Sequence, residues 1–140
     1  MIKKLLSTIL LLFFLPNILL AKSDYFKEGI SLYNDNKFED AKFKFEQDIV
    51  FNPKNELSYL YLSKIFKNLD KKKLQEQNLN TVILLNPKNE EAIYNLAMLK
   101  LESSDYKKSK ELNEKLNLLC NNFCNKSKKL KIEIENLSKK

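Results

Sequence analysis

Cys120 and Cys124 are the only cysteines in this 140-residue chain. In an oxidising compartment, two cysteines and no others favour a disulfide, so we expect a structural Cys120–Cys124 bond. Because the loop it closes is small, such a bond would stabilise the fold by only about 2 kcal/mol and would mainly fix the local direction of the chain. A redox-active pair, free thiols and intermolecular bonds remain alternatives, although the spacing is not the Cys-X-X-Cys of thioredoxin-like enzymes.

The chain contains no histidine, and this absence excludes several classes of active site. Ser-His and Cys-His nucleophiles cannot be built, and zinc sites usually need an imidazole or four cysteines. Adjacent carboxylates such as Glu39 and Asp40 occur, but on exposed helix ends and faces they are typical of solvated charge. We therefore expect no enzyme activity, no catalytic residue, no cofactor and no metal site.

The formal net charge is +7, and every basic side chain is a lysine. Arginine is the residue that recognises guanine or paired phosphate oxygens through two hydrogen bonds. Since the chain has no arginine, we expect no specific nucleic-acid partner.

The tetrapeptide Asn-Pro-Lys-Asn occurs at residues 52–55 and again at 86–89, an offset of 34 residues. Its proline forces the preceding asparagine out of the helical region, so a helix must end there. Its second asparagine can accept hydrogen bonds from the free N–H groups of the next helix. Acidic residues that follow would lie against the positive end of that helix dipole, and they are Glu56, Glu90 and Glu91.

A 34-residue frame with proline at position 32 gives repeats at residues 22–55, 56–89 and 90–123. This pattern resembles the tetratricopeptide repeat (TPR), a helix pair with a large residue at position 4, small residues at 8 and 20, aromatic residues at 17 and 24, and proline at 32. The resemblance covers nearly the whole chain after the first twenty or so residues. The repeat-defining residues are Gly29, Ala41, Phe45, Pro53, Ser63, Pro87 and Ala97.

The second and third repeats depart from this pattern. Lys72 and Gln75 replace the aromatic and the small residue of the second repeat, so we expect its second helix to pack less tightly or to be rotated. In the third repeat, positions 20, 24 and 32 hold Ser109, Asn113 and Asn121.

Apolar residues recur at helical spacing, and polar breaks at residues 34–37, 69–71 and 103–105 divide each repeat into two helices. The resemblance implies an all-α fold, a right-handed α-solenoid of three antiparallel helix hairpins. Residues 124–140 carry a narrow apolar stripe of Leu130, Ile134 and Leu137, which predicts a C-terminal capping helix. An alternative is a basic amphipathic helix that lies on an anionic membrane.

Residues 1–21 have the pattern of a secretory signal peptide. Lys3 and Lys4 precede an apolar run that Pro16 interrupts, and Ala21 is a suitable last residue before cleavage. Cleavage would leave 119 residues (140 − 21) with a net charge of +5 (7 − 2). We therefore expect an exported protein, periplasmic or secreted, and the alternative is an uncleaved N-terminus that tethers the protein to the membrane.

In tetratricopeptide repeats, positions 5, 9 and 12 of the first helices line a concave surface. The candidate groove residues are therefore Phe26, Ile30, Tyr33, Leu60, Lys64, Lys67, Tyr94, Met98 and Leu101. An apolar, aromatic groove with two lysines suits a protein segment with apolar anchors and some acidic character. The alternative for any one of these residues is packing between neighbouring helices.

Some members of this family bind a C-terminal carboxylate with lysine or arginine at position 5 and asparagine at position 9 of the first repeat. Here those positions hold Phe26 and Ile30, so we do not expect that ligand. We predict a non-enzymatic interaction module or adaptor of the bacterial envelope whose partner is another protein or peptide. The alternatives are a redox protein that uses Cys120 and Cys124, a membrane-tethered subunit, and self-association.

Overall fold

The structure is a computed structural model that describes residues 24–139. The predicted signal peptide lies outside these described residues. Within them the chain forms seven α-helices and no β-strand, and none of these helices has the length and apolar character needed to cross a membrane. The helices are α1 Tyr25–Asn34, α2 Phe38–Phe51, α3 Glu56–Asn68, α4 Lys72–Leu85, α5 Glu90–Glu102, α6 Tyr106–Leu119 and α7 Cys124–Leu137.

Three helix hairpins, α1–α2, α3–α4 and α5–α6, follow one another and α7 packs on the last, as the repeat pattern predicts. The turn of each hairpin places one residue in the left-handed region: Asn36 has φ 60°, Asp70 φ 51° and Ser104 φ 61°. These residues are 34 positions apart. Asparagine and aspartate tolerate this conformation better than most residues, which explains the first two turns, and the third turn places serine there.

The asparagines of the repeated tetrapeptide end one helix and begin the next, as predicted. α2 and α4 stop immediately before Asn52 and Asn86. Asn55 Oδ1 accepts a hydrogen bond from the Leu57 N–H at 3.3 Å, and Asn89 Oδ1 accepts one from the Ala92 N–H at 2.9 Å. The 34-residue period therefore reflects helix termination and capping at equivalent places.

The apolar core consists of two clusters. The smaller one lies between α2 and α3, and the larger one extends from α3 to α7. Leu130 and Ile134 of α7 are buried in the larger cluster, and Leu137 packs against it. α7 is therefore a capping helix, and its apolar stripe is not available to a membrane, because the stripe is the surface that closes the stack.

Three of the polar residues that replace family residues are buried, namely Gln75, Ser109 and Asn113, whereas Lys72 and Asn121 are exposed. Ser109 Oγ donates to the carbonyl of Ala97 at 2.8 Å, and Asn113 Nδ2 donates to the carbonyl of Ser127 at 3.1 Å. Gln75 is also buried, next to the fully buried Leu79 one turn later. The inward face of α4 is therefore packed at Gln75 and Leu79, without the expected loosening, and the alternative of a rotated helix stays a prediction.

Carboxylates connect the first residue of a repeat to its last ones. Glu56 Oε1 accepts hydrogen bonds from Asn86 Nδ2 at 2.7 Å and Asn89 Nδ2 at 3.4 Å. The Glu90 carboxylate accepts hydrogen bonds from the backbone N–H groups of residues 121, 122 and 123 at 2.7, 3.0 and 2.8 Å. These bonds of Glu90 fix the corner between α6 and α7, where the third repeat lacks its proline.

A third carboxylate holds the first copy of the tetrapeptide. Asp48 is buried and accepts hydrogen bonds from Asn52 Nδ2 at 2.8 Å, from Asn55 Nδ2 at 2.7 Å and from the hydroxyl of Ser58. Since a charged acceptor roughly doubles the strength of a hydrogen bond, this cluster joins α2 to α3 firmly.

Gly29 permits the closest approach within the first hairpin. A Cβ atom at this position would lie 2.8 Å from Cε1 of Phe45, a distance that side chains do not tolerate. The Phe45 ring is fully buried and stacked on Tyr61, with 5.0 Å between the ring centroids, so it has little freedom to move away.

We predict that Gly29→Ala destabilises the protein by about 1–2 kcal/mol, because overpacking of a tight core outweighs the gain of about 1 kcal/mol from alanine in a helix. Thermal or urea unfolding measures the change. Ser31→Ala, at an exposed position of the same helix, should have almost no effect. A stabilised Gly29→Ala variant would show that the ring yields easily.

The Glu90 carboxylate predicts a pH dependence. Partial burial acts to raise its pKa, but the N–H donors of Phe123, Asn121 and Asn122 together outweigh burial and hold the pKa below its ordinary value. The stability that this group contributes is therefore complete above its unfolded-state pKa of about 4.3 and is lost as the pH falls through the lower folded-state value.

We predict that Glu90→Gln lowers the melting temperature at pH 7, because a neutral amide with one oxygen cannot accept three N–H groups. The difference from wild type should begin to shrink as the pH falls below about 4.3 and should vanish once the pH is below the lower folded-state pKa, since the wild-type carboxyl is then neutral, as the amide is. Melting curves between neutral and acidic pH measure this. Asp40→Asn, in the exposed first turn of α2, controls for loss of helix-dipole charge, and an equal loss in both variants would contradict a special role for Glu90.

Candidate partner-binding groove

The nine candidate groove residues lie on α1, α3 and α5, the first helices of the three hairpins. Lys67 is exposed, and six others are half-buried: Phe26, Ile30, Tyr33, Lys64, Tyr94 and Met98. Leu60 and Leu101 are each only 4% exposed and belong to the larger core cluster. The structure thus gives these two leucines the alternative role, packing between helices, because neighbouring helices cover both positions.

An aromatic cluster forms where α1 meets α3. The Tyr61 ring centroid lies 5.1 Å from that of Tyr33 and 6.1 Å from that of Phe26, both nearly edge-on. A third ring, that of Phe45, is stacked on Tyr61. Tyr61 was not among the predicted groove residues.

Lys64 connects this aromatic cluster to α5. Its Nζ lies 4.9 Å from the Tyr61 ring centroid and 2.8 Å from Glu91 Oε1. An ion pair that water reaches contributes little stability, so its main effect is to orient the ammonium group. Lys67, one turn later, forms no ion pair within residues 24–139, and its charge is available to a partner carboxylate.

Tyr94 lies at the other end of the groove, against the corner that precedes α7. The Tyr94 and Phe123 ring centroids are 5.6 Å apart, and Lys126 Nζ lies 4.1 Å from the Phe123 centroid and 5.2 Å from that of Tyr94. A cation over an aromatic face is attracted by the ring quadrupole. Phe123 and Lys126 were not predicted, because their contact with Tyr94 depends on the angle at which α7 leaves the third hairpin.

The corner itself is held from two sides. Cys120 and Cys124 are paired in the structure, with Cα atoms 5.1 Å apart, and they span the turn between α6 and α7. The Glu90 carboxylate binds the N–H groups of the same turn. Together these contacts position the Phe123 ring beside Tyr94.

The groove offers half-exposed rings, the side chain of Met98 and ammonium groups. Aromatic rings and methionine bind apolar side chains of a partner, and the lysines attract carboxylates. Within the described part of the chain, no group of three or more histidine, cysteine, aspartate or glutamate side chains is placed to hold a metal ion.

No model of a known protein family matches this sequence, and no characterised protein matches it in sequence. Solved structures do resemble the fold. The TPR2B domain of yeast Sti1, solved as a complex with pHsp70, matches with a TM-score of 0.75 at 13% identity, over 81% of this chain and 95% of that one. The first TPR domain of Spaghetti (RPAP3), bound to the HSP90 peptide SRMEEVD, matches with a TM-score of 0.72 at 16% identity, over 81% of this chain and 90% of that one.

A bacterial protein shows the same likeness. The type III secretion chaperone SycD of Yersinia enterocolitica, in complex with a peptide of the translocator YopD, matches with a TM-score of 0.73 at 16% identity. The match covers 83% of this chain and 92% of that one. These identities are low, so the likeness concerns the fold alone. The chain has the fold of tetratricopeptide-repeat domains, with three helix hairpins and a capping helix.

Proposed function

We propose that this protein is a non-enzymatic interaction module that binds a segment of another protein in the groove formed by α1, α3 and α5. The observation that carries the proposal is the combination of half-exposed aromatic side chains with ammonium groups along the first helices. Domains of the same fold bind peptides of HSP90 and of the translocator YopD, which supports a peptide-binding role for this chain.

The groove favours a partner segment with apolar anchor residues and carboxylates. Tyr33 and Tyr94 present ring surface at its two ends, and Met98 supplies an adaptable apolar surface. Lys67 would bind a partner carboxylate directly. Lys64 would first have to release Glu91 and then bind the partner carboxylate, which is possible because a solvent-accessible ion pair is weak.

In vivo cross-linking followed by mass spectrometry tests this proposal. We expect the wild-type chain to capture a partner and Tyr94→Lys plus Met98→Glu to lose it, since both changes place charge on the apolar groove surface. Lys67→Glu alone, at an exposed position in the last turn of α3, should weaken capture at least tenfold, because it replaces an attraction by a repulsion. Its cost to the helix, an anion in place of a cation beside the C-terminal dipole, is only about 1 kcal/mol. This single variant keeps the test valid if the double variant folds poorly.

The matched control is Leu74→Lys plus Ile132→Glu, two exposed positions away from the groove. It introduces the same two charges and should leave capture unchanged. A partner retained by both groove variants would exclude the groove as the binding surface. Loss of the partner in the control as well would indicate a general effect of surface charge.

We further propose that the protein is exported to the bacterial envelope, with cleavage after Ala21 and oxidation of Cys120 and Cys124. The signal-like pattern of residues 1–21 and the pairing of the two cysteines across one turn support this. The partner would then be a protein of the envelope, and the module would act there as an adaptor.

Intact-mass measurement of protein isolated from the native envelope tests both parts. We expect a chain that begins at Lys22, that lacks the two thiol hydrogens, and that keeps its bond under mild reductant. A full-length chain in the membrane fraction would instead support a tethered subunit. Easy reduction and reoxidation would support a redox role for the cysteine pair.

A further inference from the structure

Three aliphatic residues stand at the same position of the three repeats and are almost fully exposed. Val50, Leu84 and Leu118 are spaced by 34 residues, near the ends of α2, α4 and α6, and they are 74%, 79% and 87% exposed. A single exposed leucine is ordinary, but a row that repeats with the structural period is not. Equivalent positions of stacked repeats lie on one side of the stack, so these residues form a single row.

The fold does not require these residues, because none of the three belongs to a core cluster. The next position in sequence extends the apolar surface, since Phe51 and Leu85 are exposed too. The row lies on the second helices of the hairpins, whereas the groove residues lie on the first helices. It is therefore a surface distinct from the proposed groove.

Lysines accompany the row at the same period. Lys54 and Lys88, the lysines of the repeated tetrapeptide, are exposed and form no ion pair within residues 24–139. Proline and both asparagines of that tetrapeptide end and cap helices, but its lysine has no such role. In the first two repeats the lysine follows the aliphatic residue by four positions, in the turn just after the helix, and the third repeat has Asn122 at that place.

We propose that this row, defined by Val50, Leu84 and Leu118 with Lys54 and Lys88, is a docking surface for an anionic lipid membrane. Side chains this exposed project from the protein and form no recess that could receive anchor residues of a protein partner. A lipid surface accepts projecting apolar side chains without such complementarity, and its anionic headgroups attract lysines placed beside them.

Partitioning onto lipid vesicles tests the proposal. The protein is purified from cells that express the full chain, and mass spectrometry confirms that all variants share one N-terminus. We expect Val50→Asn plus Leu84→Asn plus Leu118→Asn to reduce binding to phosphatidylglycerol-containing vesicles at least tenfold. Lys54→Gln plus Lys88→Gln should reduce it about fivefold per lysine and should leave the weaker binding to pure phosphatidylcholine unchanged.

Two controls separate the row from general surface effects. Ile132→Asn removes an aliphatic side chain that is 59% exposed on α7, and this variant should bind vesicles like wild type. Lys72→Gln plus Lys107→Gln removes two exposed lysines outside the row, and this variant should lose less binding than Lys54→Gln plus Lys88→Gln. Wild-type binding by the triple variant would overturn the proposal. Light scattering that shows a wild-type dimer and a monomeric triple variant would also overturn it, since the row would then join two copies of the chain.

Discussion

The stack depends on carboxylates that join the beginning of a repeat to its end. Glu56 and Glu90 are the first residues of their helices, and each reaches the turn that follows the partner helix of its own hairpin. The hydrophobic effect itself is non-directional, and interdigitating side chains leave the angle between packed helices a scatter of about 15–20°. A directional bond between helix start and hairpin end restricts that angle.

The same interaction explains how the third repeat tolerates the loss of its proline. Asn121 stands where proline ended the earlier repeats, and the turn there is held by the Glu90 carboxylate and the cysteine pair. A proline would have removed one of the N–H groups in this turn. In the earlier repeats proline restricts the turn, and in the third repeat hydrogen bonds to Glu90 hold it instead. With this turn in place, Phe123 packs against Tyr94.

Much of the fold could be predicted from the sequence, because the governing interactions are local. The asparagine caps, the breaks within hairpins and the capping role of Leu130 and Ile134 follow from residue types within one helical turn of each other. The contacts of Tyr61, Phe123 and Lys126 could not be predicted, since they depend on how one helix is rotated against another. Leu60 and Leu101 show the same limit: periodicity puts them on the correct helices but does not determine which neighbour covers them.

Low identity to other domains of this fold indicates where the specific properties of this chain reside. The fold needs only a few residue types per repeat, and it persists at 13–16% identity. Positions that the fold leaves free can therefore vary without loss of structure. When such a position holds an exposed aliphatic residue in all three repeats, burial contributes little stability there. Val50, Leu84 and Leu118 satisfy this condition, which favours an interaction outside the folded chain as their explanation.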